Sequence, residues 1–229
     1  MRAGTMKARW VFLTTIIILA LVFAACAGVK YAAPSATQTP TPGPSVTPTP
    51  TPTQTDTPQP PTDVSALIDD NPAEVDNSDL PVTPVDQLHI TGTAPEVNIA
   101  DYRLTVDGLV EKPLTLTYDA VVAYPSVTEV VLLICPLTFV DNAEWTGVPV
   151  STLLAEAGVK AGATKVAFQS LDGYQNVLSL EDVQQDGVFL AYKVDGQVLP
   201  AEHGYPLRLV VKGKYGANWV KWITSIEVQ

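Results

Sequence analysis

Ten of the 20 prolines in this chain fall between Pro34 and Pro61, most of them in Thr-Pro pairs, and that stretch decides where a folded domain can lie. From Pro34 to Thr62 the residues are chiefly Thr, Pro, Gln and Ser, with a single charge at Asp56. Such a segment has too little apolar surface to offset the entropy lost on ordering its backbone. Repeated Thr-Pro favours extended polyproline conformation, so the tract reads as a spacer whose hydroxyls are also open to glycosylation. The acidic stretch that follows, Asp63 to Asp79, adds six acids and few large apolar residues and is expected to stay loosely ordered. A single domain with a sizeable core is left, about 150 residues from Leu80 to Gln229.

Charge narrows what that domain binds. It carries 17 acids and 9 bases, the wrong balance for neutralising phosphates along a duplex, so nucleic-acid binding is excluded. Ahead of the spacer, Arg2, Lys7 and Arg9 precede a 16-residue apolar run from Trp10 to Ala25, short for a bilayer span but right for an export signal. The run ends Phe23-Ala24-Ala25-Cys26, which resembles the cleavage site of bacterial lipoproteins, with Cys26 as the lipidated residue. An uncleaved anchor is the alternative, and both give an extracytoplasmic address tethered to a membrane. The expected organisation is a signal segment at 1–26, a linker at 27–79 and one domain at 80–229.

Within the domain, period-2 alternation and apolar runs predict strands at Tyr102–Val106, Leu114–Tyr118, Val130–Ile134, Lys165–Gln169, Val188–Val194, Leu207–Val211 and Ile223–Val228. Asp-Gly pairs at 107, 172, 186 and 195 supply tight turns between them. Helices are short: Ser151 is expected to cap Thr152–Ala157 ahead of Gly158, Ser179 with Asp182 to cap a second turn, and Asp119–Ala123 to form a third. Strands and helices do not alternate regularly, which predicts an α+β, β-rich mixed-sheet fold without a Rossmann unit. No Gly-rich phosphate loop is present, so nicotinamide and P-loop chemistry lose their support.

Two features carry candidate chemistry. Cys135 ends the apolar run Val130–Ile134 and precedes Pro136, which stops the strand and presents the thiol at its end. If Cys26 is lipidated, Cys135 has no disulfide partner. It is then a buried small hydrophobe, a nucleophile served by His89 or His203, or a metal ligand. With no second Cys or His pair beside it, zinc is a poor fit, and a lone thiolate better completes the coordination of a metal that arrives inside an organic cofactor. The second feature is a basic cluster: Arg208, Lys212, Lys214 and Lys221 lie in the last 22 residues, interleaved with Gly213, Tyr215, Gly216, Trp219 and Trp222. It reads either as a lysine-protected edge strand or as a site offering side chains and backbone N–H groups to one anion.

Five segments follow one another in order: Cys135 at a strand end; Ala143-Glu144-Trp145-Thr146-Gly147-Val148-Pro149-Val150; Ser170-Leu171-Asp172-Gly173-Tyr174; Leu199 through Val211, containing His203-Gly204-Tyr205-Pro206 and Arg208; and Lys214-Tyr215-Gly216 with Val220-Lys221-Trp222-Ile223. Together they resemble the oxidoreductase molybdopterin-binding domain of the sulfite oxidase superfamily, and the short form most resembles its bacterial branch related to the methionine sulfoxide reductase molybdoenzymes. The resemblance implies a pyranopterin dithiolene carrying molybdenum, with Cys135 as the protein ligand and catalytic centre. It also implies cofactor contacts from Ser170, His203, Arg208, Trp219, Val220 and Lys221. Trp145 is expected to pack beside the site, and Asp172 and Gly173 to form a turn. Where relatives have an aromatic and Asn-bearing cofactor segment, this chain has Leu88-His89-Ile90-Thr91-Gly92-Thr93, with His89 and Thr91 the candidate contacts.

The implied function is oxygen-atom transfer on a small substrate. Residues Pro136 to Asn142 contain no Arg or Lys, which argues against sulfite, an anion, as that substrate. No haem-attachment motif, flavin fingerprint or iron-sulfur cysteine set occurs. Electrons must therefore pass to or from a separate protein, expected to be a cytochrome or a quinone-linked membrane subunit. Two other readings stand beside it: a non-catalytic anion- or pterin-binding lipoprotein that keeps the fold without metal, and an adhesive β-domain on a stalk.

Overall fold

A computed structural model describes residues 64–229; the export signal, Cys26 and the Thr/Pro tract lie outside the described residues. Among the described residues, ten strands form two sheets. The first runs β2 (Leu114–Leu116), β1 (Leu104–Gly108), β10 (Ile223–Val228), β5 (Lys165–Ser170), β6 (Gln175–Ser179). In it β1 and β10 pair in parallel, Val106 beside Ile226, and every other contact is antiparallel. The second runs β3 (Val127–Cys135), β4 (Phe139–Pro149), β7 (Val188–Val194), with β9 (Arg208–Val211) and then β8 (Gln197–Val198) along the far side of β7. The mixed, β-rich α+β architecture read from the sequence is the one observed.

The inward faces of both sheets share one core that includes Leu104, Val106, Phe168, Leu190, Leu209 and Ile226. α2 (Val150–Ala157) buries Val150, Leu153, Leu154 and Ala157, the i, i+3, i+4, i+7 stripe of an amphipathic helix, and stops at Gly158. Its start differs from expectation. Pro149 holds the capping position and Ser151 sits inside the first turn, because Pro fixes a backbone angle suited to helix entry without a side-chain cap. The strand expected at Leu114–Tyr118 ends at Leu116, since the Thr117 hydroxyl accepts from Ala120 N–H at 3.2 Å and starts α1 (Tyr118–Val122). Ser179 caps α3 (Leu180–Val183) as expected, accepting from Asp182 N–H at 3.0 Å.

β4, eleven residues long, was not legible as a strand, because Asp141, Asn142 and Glu144 interrupt its apolar pattern. Asp141 and Asn142 are buried and satisfied by tertiary partners instead of water. Those partners correct a second expectation. The acidic stretch from Val64 onward is not loose: Val64, Leu67, Ile68, Val75 and Leu80 cover Leu132, Ile134 and Val140 on the outer face of β3 and β4. Asn77 donates to Val130 O at 3.1 Å and to Asn142 Oδ1 at 2.9 Å, while Asn142 donates to Leu80 O at 3.2 Å. The run Val131–Ile134 is therefore buried on both faces, Val131 and Leu133 by the main core and Leu132 and Ile134 by this strap.

Candidate functional site

Cys135, the last residue of β3, is half-buried and opens onto a cavity of about 210 Å³. The same cavity is lined by Ser170 at the end of β5, Arg208 at the start of β9, and Trp219, Lys221 and Trp222 from the connection between β9 and β10. Residues 73 and 86 positions away from Cys135 are thus brought to one wall by the sheet and by the 3-10 turn Gly216–Asn218. That turn lies tight against β3. A Cβ at position 216 would come within 3.2 Å of Leu133 Cδ1, which would have to give by a few tenths of an ångström, and would sit in ordinary contact with Cys135 Cβ at 3.5 Å.

Arg208 is buried, with its guanidinium carbon 5.0 Å from the ring centre of Trp145 and 5.3 Å from that of Trp219. Nη1 donates to His203 O at 3.1 Å, and Nε has no partner within the protein. Burial pulls the guanidinium pKa down to about 10, with the Asp141 carboxylate opposing, so the group is still cationic at neutral pH. Lys221 donates to Thr91 O and, at 3.0 Å, to Glu202 O, and its ammonium lies 4.5 Å from the Trp222 ring centre. Burial first, and then Arg208, bring its pKa down to about 8. A buried cation lacking a partner at one donor is costly, and it is the arrangement expected where an anionic ligand supplies what the protein does not.

His203 and Val220 do not line the cavity. His203 is buried in the 3-10 turn Ala201–His203, and burial followed by the Arg208 charge lowers its pKa, which favours neutral imidazole. Its backbone carbonyl, not its ring, acts on the site by holding Arg208. Gly204 follows at φ +119°, and a Cβ there would come within 3.0 Å of Arg208 Cβ. Val220 is core, its carbonyl accepting from Leu209 N–H at 2.7 Å. Trp145 packs beneath Arg208, and its buried Nε1 also lacks a partner.

Other lining residues were not read as site residues from the sequence: Leu133, Phe139 and Gly92, each carrying only an apolar or turn signal, and Tyr174, quoted only within its motif. Thr91 lines the cavity, whereas His89 stands beside it, stacked on Phe139 with ring centres 4.7 Å apart and Nδ1 2.8 Å from the buried Asp141. Asp172 lines the rim and accepts from Tyr174 N–H at 2.9 Å, the turn role expected of it. Among the described residues no group of three or more His, Cys, Asp and Glu is placed to hold a metal. The donor chemistry fits a metal delivered inside an anionic organic ligand: one soft sulfur, two cations and aromatic walls.

Comparison with known proteins bears on the same residues. Positions 91–229, more than half the chain, match the family described as oxidoreductase molybdopterin binding domain. A nitrate reductase (NADH) of Volvox carteri is 32% identical over 170 residues, covering 60% of this chain and 20% of that protein. A putative protein-methionine-sulfoxide reductase subunit of Azospira oryzae, YedZ1, is 33% identical over 133 residues, covering 58% of this chain and 51% of that one. The crystal structure of the sulfane dehydrogenase SoxCD from Paracoccus pantotrophus superposes with a TM-score of 0.56 at 35% identity, covering 59% of this chain and 40% of the other. The chain thus spans from about a fifth to about half the length of these relatives.

Proposed function

The chain belongs to the oxidoreductase molybdopterin-binding domain family, and from that premise we propose that it is an extracytoplasmic, membrane-tethered oxidoreductase that transfers an oxygen atom to or from a small substrate and exchanges electrons with a separate redox protein. The observation that carries this reading is the meeting of Cys135, Arg208 and Lys221 on one cavity. When bound, the family's molybdenum-molybdopterin cofactor supplies the two-electron chemistry of oxygen-atom transfer. The protein's contribution is binding, orientation and electrostatics.

In this reading the Cys135 thiolate is the metal ligand, held at a strand end against which the Gly216 turn packs. Arg208 and Lys221 bind the anionic end of the cofactor; the His203 carbonyl and the rings of Trp145 and Trp219 orient the guanidinium. Ser170, buried at the end of β5, is the polar contact on the opposite sheet. The apolar run and Phe23-Ala24-Ala25-Cys26 support the envelope address and lipid anchor. The absence of haem, flavin and iron-sulfur motifs supports an external electron partner.

The test is elemental analysis of protein isolated from its native membrane, joined to turnover of sulfoxides, N-oxides and sulfite with an artificial electron donor or acceptor. Molybdenum near one atom per chain with turnover is expected. Cys135→Ser should abolish turnover while shifting stability by less than about 1 kcal/mol, since the side chain is only half-buried. Repeated absence of molybdenum would leave a non-catalytic anion- or pterin-binding protein, and full turnover in the Cys135→Ser variant would sink the mechanism.

A further inference from the structure

Between Val211 and Trp219 the chain has one large apolar side chain, Tyr215. It is half-buried, and it belongs to the outer cluster in which the strap of residues 64–80 covers Leu132, Ile134 and Val140, not to the core between the sheets. A second contact joins the same two segments: a Cβ at Gly213 would meet Ala73 of the strap at 3.5 Å. The other anchors of this loop are polar. Lys212 pairs with Glu129 and Lys214 with Asp182, each at 3.1 Å. Tyr174 donates to Ala217 O at 2.7 Å and Asn176 to Asn218 O at 3.0 Å. Exposed ion pairs contribute little, because water and salt compete for both partners. Tyr215 under the strap is therefore the apolar grip on residues 212–218.

The same residue starts the turn that lines the Cys135 cavity. Tyr215 O accepts from Asn218 N–H at 2.8 Å and from the Asn218 side chain at 3.3 Å, which opens the 3-10 turn Gly216–Asn218. Gly216 then lines the cavity with Cys135, and Trp219, whose N–H donates to Gly216 O at 3.0 Å, brings its ring centre to 5.3 Å from the Arg208 guanidinium carbon. β3 lies between the two arrangements. Its outward residues Leu132 and Ile134 rest under the strap with Tyr215, while Leu133 and Cys135 line the cavity. Strap, Tyr215, turn and Trp219 thus make an unbroken series of contacts from the outer face of the sheet to a cation of the site.

Resting on the anion site of the proposed function, we propose that the strap and the β9–β10 loop open and close as one unit, with Tyr215 as the positioning residue between them, so that seating the strap and binding an anion at Arg208 and Lys221 favour each other. A seated strap holds the turn in the arrangement that the anion meets. A bound anion, by ordering Arg208 and the Trp219 ring against it, holds the strap down. Such coupling is reciprocal: the factor that the strap adds to anion affinity is the factor that the anion adds to closing of the strap. The strap is built to respond. The side chains it lays on β3 and β4 are each only partly buried, and Asp69, Asp70, Glu74, Asp76 and Asp79 are exposed, so it opens well before the sheets do. An empty site leaves residues 64–80 loose, and a filled one fastens them.

Hydrogen exchange of the full, metal-free chain, read peptide by peptide with and without millimolar pyrophosphate, tests both directions. Leu67→Ser combined with Ile68→Ser removes apolar contacts of the strap and touches neither a cavity residue nor the core between the sheets. Exchange in that variant is expected to quicken about tenfold or more in residues 64–80 and about fivefold or more in 213–219, with β5 and β7 unchanged. The Kd for pyrophosphate, measured by titration calorimetry, should rise about fivefold or more, the lower end of ordinary coupling between sites. Tyr215→Ser should loosen both segments and weaken binding in the same way, whereas Tyr215→Phe keeps the ring and should match wild type. In wild type, pyrophosphate should slow exchange across residues 64–80, none of which lines the cavity. The proposal is overturned by a loosened strap with wild-type exchange in 213–219, by an unchanged Kd, or by a strap indifferent to pyrophosphate that does bind. Equal quickening in β5 and β7 overturns it too, since that is a general loss of stability. A wild type that fails to bind pyrophosphate strikes the anion site of the proposed function alone, because exchange in the ligand-free variants still decides whether the strap holds the loop.

Discussion

Replacing Arg208 with methionine separates binding from folding at this site. The fall of the guanidinium pKa to about 10 means that holding the charge in the ligand-free protein costs about 3 kcal/mol. Because the folded pKa lies below its ordinary value, that cost is complete at every pH below about 10 and fades only above it. Against it stand two cation–π contacts and one hydrogen bond to His203 O, together about 3 kcal/mol. Arg208→Met, similar in length and apolar, should therefore leave ligand-free stability within about 1 kcal/mol of wild type, a shift of no more than about 4 °C. Anion binding should respond differently. Removing one member of a buried charge-assisted pair costs about 2–5 kcal/mol, a loss of affinity of about 30-fold or more. Scanning calorimetry of the metal-free chain with and without millimolar pyrophosphate reads both quantities, since a ligand that binds only the folded state raises the melting temperature. Wild type should rise and Arg208→Met should not. A variant that loses more than about 3 kcal/mol without ligand, or that responds to pyrophosphate like wild type, would refute the reasoning.

Lys221 has its pKa brought down to about 8, so ligand-free stability should climb as pH rises through 8 toward the amine's ordinary value, the charged form being the disfavoured one in the fold. Over the same range pyrophosphate affinity should fall, and Lys221→Met should flatten both profiles in a pH series of thermal melts. Gly204→Ala places a Cβ at φ +119° and against Arg208; a loss of about 1–3 kcal/mol in urea unfolding is expected, together with weaker anion binding. Asn142→Ala removes the buried amide that holds the carbonyls of Leu80 and Pro81 and pairs with Asn77. It should cost about 1–3 kcal/mol, and hydrogen exchange should quicken in residues 64–83 before the rest of β3 and β4.

The sequence determined on its own whatever is written in short-range pattern. An apolar run placed Val188–Val194, and local pattern placed Ile223–Val228, to the residue, and the Asp195-Gly196 pair makes the tight reversal from β7 to β8 with both residues at positive φ. Residue type drew attention to Cys135 and to the cluster Arg208, Lys212, Lys214 and Lys221, but left each with a bland reading beside the functional one, and only the family resemblance picked out Cys135, Arg208 and Lys221 as site residues. Only the tertiary structure decided that these three share a cavity, that His203 serves through its carbonyl while its ring stays off the wall, and that an acidic stretch folds back as a strap over Leu132 and Ile134. β4 was hidden for the same reason: burying Asp141 and Asn142 becomes affordable only once His89, Leu80 and Thr83 supply their hydrogen bonds from more than fifty residues away. Periodicity records the energy of a residue against its neighbours in the chain. Where a polar or charged group is stabilised by a distant partner, that energy has no local trace, and the packed fold alone reveals it.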